Sequence, residues 1–184
     1  MVSTDIGNIC AVSNSYLRFV QPRSMFAAMS FGNCGYAFPV ACGARIASPD
    51  RPAIAYVGDG AWGISLNELL TCAREKIGVT VVVFNNAQWG AEKKNHVDFY
   101  SRRFQAVNLD SPSWAGVARA FGCDGVTVEK LSDVGPALRS AVQAQTEGKC
   151  TVLEMMVTQE LGDPFRRDAL SKPVRLLPKY RDYT

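Results

Sequence analysis

The sequence predicts an α/β domain with an open, mainly parallel sheet and helices on both faces. Three observations carry that expectation. Ala53–Val57 and Val79–Phe84 are short apolar runs, the second rich in β-branched residues, as in strands buried on both faces. Between them Leu66, Leu69, Leu70 and Ala73 follow the i, i+3, i+4, i+7 spacing of an amphipathic helix. A strand–helix–strand unit of this kind implies a right-handed parallel crossover.

The elements follow in order. Met1–Asn8 reads as the end of a strand running into a loop. Only a couple of residues precede the loop, whereas strands usually run to about five, so an initial stretch is expected to be missing. Asn8–Phe19 suits a short helix and loop, and Gln21–Gly35 reads as loop. Tyr36–Ser48 is a helix with Pro39 near its start, where a missing N–H costs least. Val40, Gly43, Ala44 and Ala47 are its expected sheet-facing side. Gly78 is expected to close the helix between the two central strands, as a glycine after a last turn does.

Beyond the second strand, Ala87–Asn108 is dense in charge and aromatic residues. Ser111-Pro112-Ser113 opens a further helix with Trp114, Val117, Ala118 and Phe121 on its apolar face. Gly125–Val128 is a short strand. Ser132 is expected to cap the helix carrying Val134, Leu138, Ala141 and Val142. Thr151–Val157 is the last strand, with Glu154 inside an apolar run and either buried or on an edge. Residues 1–160 form the expected domain and 161–184 a polar, basic tail.

The chemistry concentrates where the two central strands end. One ends in Gly58-Asp59-Gly60, the other in Asn85-Asn86. In open parallel sheets, loops at the strands' carboxyl ends carry the ligand. Asp59 offers an anionic oxygen and Asn86 a neutral one. Hard oxygen donors with a single formal charge suit Mg²⁺, which keeps the rest of its shell for phosphates and water. Gly58 and Gly60 let backbone N–H groups approach an anion. A helix starting near Gly63 would point its positive end there. These features predict a Mg²⁺–diphosphate site.

Composition narrows the classes. At 184 residues, 47% hydrophobic content and a net charge of +3, the chain suits one packed domain. Its basic residues come as short pairs, Lys93-Lys94, Arg102-Arg103 and Arg166-Arg167, which argues against nucleic acid and fits small anions. Six cysteines without CxxC spacing and one histidine do not make a zinc set. Reduced thiols in a cytosol are expected. No apolar run of about 18 residues indicates a membrane span.

The strand–GDG–helix–strand–NN arrangement resembles the thiamine diphosphate motif of the acetolactate synthase and pyruvate decarboxylase superfamily. Gly32-Asn33-Cys34-Gly35-Tyr36-Ala37-Phe38-Pro39 resembles that superfamily's G-x-M-G-x-x-x-P stretch. The resemblance implies Asp59, Asn86 and the backbone carbonyl of Gln88 as Mg²⁺ ligands. It implies Gly32, Asn33, Cys34, Gly58, Gly60, Ala61, Trp89 and Gly90 around thiamine diphosphate. Gly32 would accept a hydrogen bond from the aminopyrimidine through its carbonyl. Cys34 would wedge the cofactor into its bent form, where the family carries a bulkier apolar residue.

Further stretches resemble the carboxy-terminal part of the sulfoacetaldehyde acetyltransferase family: VSTDIGN, PRSMFAAMSFGNCGYAFP, GDGAWG, QWGAEKKN and QELGDPFRRDAL. That resemblance implies conversion of sulfoacetaldehyde and phosphate into acetyl phosphate and sulfite. Lys93, Lys94, Arg102 and Arg166 are then candidates for the anionic substrates. No catalytic residue is expected in this chain, because the activating glutamate of the superfamily lies on a different domain, usually of a partner chain. A homo-oligomer, or a partner carrying the pyrimidine-binding domain, is expected, with Cys34–Phe38 and Trp62 as candidate contact residues. Two alternatives stand beside this reading. One is the small subunit of a two-chain sulfopyruvate or phosphonopyruvate decarboxylase. The other is a non-catalytic cofactor-binding fragment. DNA reading continuously into another domain upstream of Met1 would separate fragment from subunit.

Overall fold

A computed structural model describes residues 1–160. The strands are β1 (Val2–Thr4), β2 (Met25–Ala27), β3 (Ile54–Gly58), β4 (Thr80–Asn85), β5 (Asp124–Val128) and β6 (Thr151–Met156). The helices are α1 (Asn8–Tyr16), α2 (Ala37–Ala47), α3 (Asp59–Ser65), α4 (Glu68–Glu75), α5 (Gly90–Phe99), α6 (Trp114–Ala120) and α7 (Leu131–Ala144). The strands form one six-stranded sheet in the order β2-β1-β3-β4-β6-β5, and every pairing is parallel. The predicted α/β class holds.

The strands' period of two sorts side chains onto two covered faces. Val57, Val81, Val83 and Val152 join Phe38, Trp62, Leu69, Trp114 and Ala118 under α2, α3, α4 and α6. Tyr56, Val82, Leu153 and Met155 join Val128 and Ala141 under α7, with Ile9 of α1 packed against them. β3, β4 and β6 therefore read as continuous apolar runs because both faces are inside.

Several local expectations are corrected. The stretch 21–35 contains the edge strand β2, whose three residues are too few to show a period. The helix after β3 begins at Asp59, not near Gly63, and breaks into α3 and α4. Leu69 and Cys72 are buried there, whereas Leu70 is exposed. Lys76, with φ +53°, takes the left-handed position that ends α4. Gly78 serves otherwise: a Cβ on it would collide with the backbone of Gln145.

Helix α2 buries Ala37, Phe38, Ala41 and Cys42, while Gly43 and Ala47 face outward. Lys130 rather than Ser132 precedes α7, and the Ser132 hydroxyl donates to Asp133. Ser113 does cap α6, its hydroxyl accepting the Gly116 N–H at 3.1 Å.

Gln145 went unnoticed in the sequence. It is buried, donates to Ala53 O and Thr80 Oγ1 and accepts from Ala53 N–H, tying the starts of β3 and β4 together. No disulfide forms among the described residues, and five of the six thiols are buried. Among those residues no helix is long and apolar enough to cross a membrane. The basic tail, with Arg166, lies outside the described residues.

Candidate cofactor and metal site

The sheet order reverses between β1 and β3. β1 leads outward to β2, and the chain then returns to place β3 on β1's other side. A crevice at the carboxyl ends of such neighbours is the usual ligand position in open α/β sheets. Asp5 follows β1 and Asp59 follows β3, so two acids stand at this switch point. β4 lies next to β3, with Gly58 level with Phe84, and brings the turn Asn85–Gln88 beside Asp59.

Asp59 is buried, at 2% exposure. Its Oδ1 accepts the Gly60 N–H at 3.0 Å, and its Oδ2 has no partner. Burial pushes its carboxyl above the usual range, against the N–H groups of Gly60, Ala87 and Gln88. A buried carboxylate oxygen costs free energy unless it is paired or binds a metal. Among the described residues no cluster of three or more His, Cys, Asp or Glu surrounds it, so a hard cation there would need carbonyl and amide oxygens beside the one carboxylate.

The turn is shaped to serve that position. Ala87 has φ +53°, in the left-handed region that non-glycine residues seldom visit. The Asn86 carbonyl accepts from Gln159 Nε2, and the Ala87 carbonyl from the Leu109 N–H. The Trp89 carbonyl accepts from the Lys93 N–H. Among the described residues the Gln88 carbonyl accepts no hydrogen bond. Its side chain is turned away, donating to Gln159 O and accepting from Lys93 Nζ. Beside Gly90 stand the amide nitrogens of Asn86 and Asn8.

Gly60 allows a close approach. A Cβ there would sit 2.8 Å from the Trp89 ring, so glycine lets that indole cover the tip of β3. Ala61 is buried just behind it. A Cβ on Gly58 would meet, among the described residues, only Ile9, at 3.7 Å.

The loop Gly32–Gly35 approaches from the β1 side. Asp5 Oδ1 accepts the N–H groups of Tyr36 at 2.7 Å and Ala37 at 3.3 Å. Gly32 and Asn33 are exposed and Cys34 is half-buried. Burial first, then the negative Asp5 and Glu92, raise the Cys34 thiol above its usual value. Cys34 thus stands between the switch point and α5.

The basic candidates divide. Lys93 reaches the site turn, donating to Gln88 Oε1 at 2.9 Å and Asn108 Oδ1 at 3.0 Å. Lys94 is held by Asp98 at 2.5 Å within α5. Arg102 is exposed after α5. Phe38 and Trp62, expected on a contact surface, are fully buried with ring centroids 5.1 Å apart. Their size and apolarity place them in the core instead.

Glu154 is the residue whose role sequence left open. It is buried at 2% exposure and accepts five donors. They are Asn85 Nδ2, Ser113 Oγ, Thr127 Oγ1 and the N–H groups of Trp114 and Ala115. Burial alone would raise its carboxyl, but these bonds together hold it below the usual range. Asp5 also escaped notice as a site residue. Its signal, a strand ending in Asp-Ile-Gly, parallels the Gly-Asp-Gly after β3.

The family model for "Thiamine pyrophosphate enzyme, C-terminal TPP binding domain" matches residues 5–155. The chain is 68% identical over 185 aligned residues to sulfoacetaldehyde acetyltransferase of Castellaniella defragrans, covering all of this chain and 31% of that protein. It is 46% identical to the Rhodobacter capsulatus enzyme of the same name, over 95% of this chain and 30% of that one. It is 33% identical to acetolactate synthase of Mycobacterium bovis, over 75% of this chain and 23% of that one. The chain spans about a third or less of the curated relatives it matches. The crystal structure of benzoylformate decarboxylase from Polynucleobacter necessarius shares the fold, with a TM-score of 0.80 at 22% identity. That match covers 89% of this chain and 31% of the other.

Proposed function

The chain belongs to the family of C-terminal TPP-binding domains of thiamine pyrophosphate enzymes, and from that premise we propose that it holds thiamine diphosphate and Mg²⁺ at the tips of β3 and β4. The observation that carries this is Asp59 Oδ2, a buried oxygen without a partner beside the Asn85–Gln88 turn. Asp59, Asn86 and the Gln88 carbonyl supply three oxygen donors, and Mg²⁺ keeps its other positions for diphosphate and water.

The enzyme reading is an acyltransferase that converts sulfoacetaldehyde and phosphate into acetyl phosphate and sulfite. It is supported by the likeness to sulfoacetaldehyde acetyltransferases along the whole chain. Thiamine diphosphate, when bound, would supply carbanion chemistry toward a carbonyl substrate. The chain's own residues bind and orient. The Gly32 carbonyl would accept from the aminopyrimidine, Cys34 would support the cofactor, and the Trp89 ring, packed over Gly60, would close one side. Lys93 and Arg102 bring positive charge for sulfonate and phosphate, and Arg166 is a further candidate in the tail. The group that activates the pyrimidine comes from another domain or a partner chain.

Calorimetric titration of thiamine diphosphate with Mg²⁺ into the 184-residue chain tests the cofactor reading. Weak binding is expected, and Asp59→Ala or removal of Mg²⁺ with EDTA abolishes it. Equal binding by Asp59→Ala would overturn the assignment. The chain by itself is expected to form no acetyl phosphate from sulfoacetaldehyde and phosphate; turnover would show that its activating group is internal.

A further inference from the structure

Asn85 touches none of the proposed ligands' oxygen donors, yet it is buried at 7% exposure between the site turn and Glu154. Its Nδ2 donates to Glu154 Oε1 at 2.9 Å, and its Oδ1 accepts the Ala87 N–H at 3.1 Å. The amide orientation is forced. An ionised carboxylate only accepts and a backbone N–H only donates, so neither aspartate nor leucine reproduces both bonds. The backbone of Asn85 is held as well, its carbonyl accepting the Val157 N–H at 3.0 Å.

Glu154 is itself immobilised. Trp114 and Ala115 N–H groups, the Ser113 hydroxyl and the Thr127 hydroxyl fix both carboxylate oxygens from α6 and β5. A continuous path of hydrogen bonds thus runs from the far edge of the sheet, through Glu154 and Asn85, to Ala87. Ala87 is the turn's left-handed residue, a conformation that persists only where its surroundings over-determine it.

We propose that Glu154 and Asn85 are a positioning pair that locks the Asn86–Gln88 turn in its metal-presenting shape, without either side chain meeting the metal. The proposal rests on the cofactor reading above for its consequence, though not for the shape of the turn. It makes β5 and α6, remote from the cofactor, part of what sets metal affinity. Outer partners of metal ligands typically govern about 10–100-fold in affinity.

Hydrogen exchange of the cofactor-free chain reads the turn directly. Asn85→Ala is expected to raise exchange at residues 86–89 about tenfold or more while β4 residues 80–84 keep wild-type protection. Mn²⁺ with thiamine diphosphate, followed by electron paramagnetic resonance, reads the consequence. Asn85→Ala is expected to weaken Mn²⁺ about 10–100-fold, and Asp59→Ala to remove it.

Wild-type exchange at 86–89 in Asn85→Ala overturns the pair, whatever the cofactor result. A loosened turn with unchanged Mn²⁺ affinity, where Asp59→Ala abolishes binding, also overturns it. Undiminished Mn²⁺ binding by Asp59→Ala sinks the cofactor reading instead, leaving the exchange result to judge the turn. Should Asn85→Ala fail to fold, Asn85→Asp is set against Asn85→Asp combined with Glu154→Gln. The double variant reverses amide and carboxylate and restores both bonds of residue 85 at the cost of the Trp114 N–H bond to Oε1, so its turn is expected to regain part of the lost protection. No gain over Asn85→Asp would overturn the proposal.

Discussion

Asp5, just after β1, and Glu154, on β6, are both buried acids of one sheet, yet their charges fare differently. Glu154 receives five donors across its two oxygens, enough to offset the cost of burial. Asp5 receives two N–H groups on Oδ1, and its Oδ2 has none. Burial therefore wins and raises its carboxyl, against the N–H groups of Tyr36, Ala37 and Gly35. A carboxyl raised in the folded state contributes its full stability while protonated, below the unfolded value near 3.9. That contribution is lost as pH rises through the raised folded value. Asn keeps the acceptor and has no charge to bury. Asp5→Asn is expected to gain on wild type in melting temperature as pH is raised from about 4 toward 7. A difference independent of pH would show that Asp5 is neutral, or fully compensated, throughout. Of these acids, sequence revealed Asp59 and left Glu154 as a choice. Both adjoin long apolar runs that announce a strand. Asp5 follows a three-residue strand that has no period to read.

At the scale of elements, the central strands were legible because burial on both faces makes them uniformly apolar. The helices' orientations were not. Small residues on α2 suggested the side Val40, Gly43, Ala44 and Ala47, but Phe38 is the helix's largest apolar group. Its contact with Trp62 turns Ala37, Ala41 and Cys42 inward with it. The end of α4 misled for a related reason. Glycine after a helix suggests a cap, whereas here Lys76 takes the left-handed residue and Gly78 admits the backbone of Gln145. Loss of a glycine from a left-handed position costs about 1–2 kcal/mol. Forcing a methyl into a packed backbone contact costs about 1–3 kcal/mol, or roughly 2–12 °C in melting temperature for a chain of this size. Gly78→Ala is expected in that range, with loosening of the Gln145 bonds to Ala53 and Thr80 visible as faster amide exchange at Ala53. A melting temperature within 1 °C of wild type would show that the backbone yields without strain.

For the molecule as a whole, the sheet order decides where the surface must be covered. The crevice between β1 and β3 opens toward α1 and the segments after it and after β2. Tyr16, Val20 and Phe31 there are 81%, 96% and 90% exposed, and Met29 and Ile64 are largely exposed beside them. The segments belong together, since Cys10 of α1 contacts Met29 across 3.5 Å. Scattered exposed apolar residues are ordinary, but a cluster beside a ligand crevice marks a contact surface. No periodicity could have announced it, because the residues lie on two short helices, α1 and α3, and two loops. The residues first expected there, Phe38 and Trp62, are instead the largest fully buried side chains among the described residues. The chain is therefore expected to self-associate through this rim. In sedimentation velocity its weight-average coefficient should rise with concentration, and Val20→Glu with Phe31→Glu should remove the rise while leaving the melting temperature nearly unchanged. Both side chains are almost wholly in water, so the substitutions have little folded packing to lose. A wild-type chain that stays monomeric at high concentration would leave this rim without a partner of its own kind. The same double variant would then identify the rim as the face for a different domain only if it weakened that domain's binding.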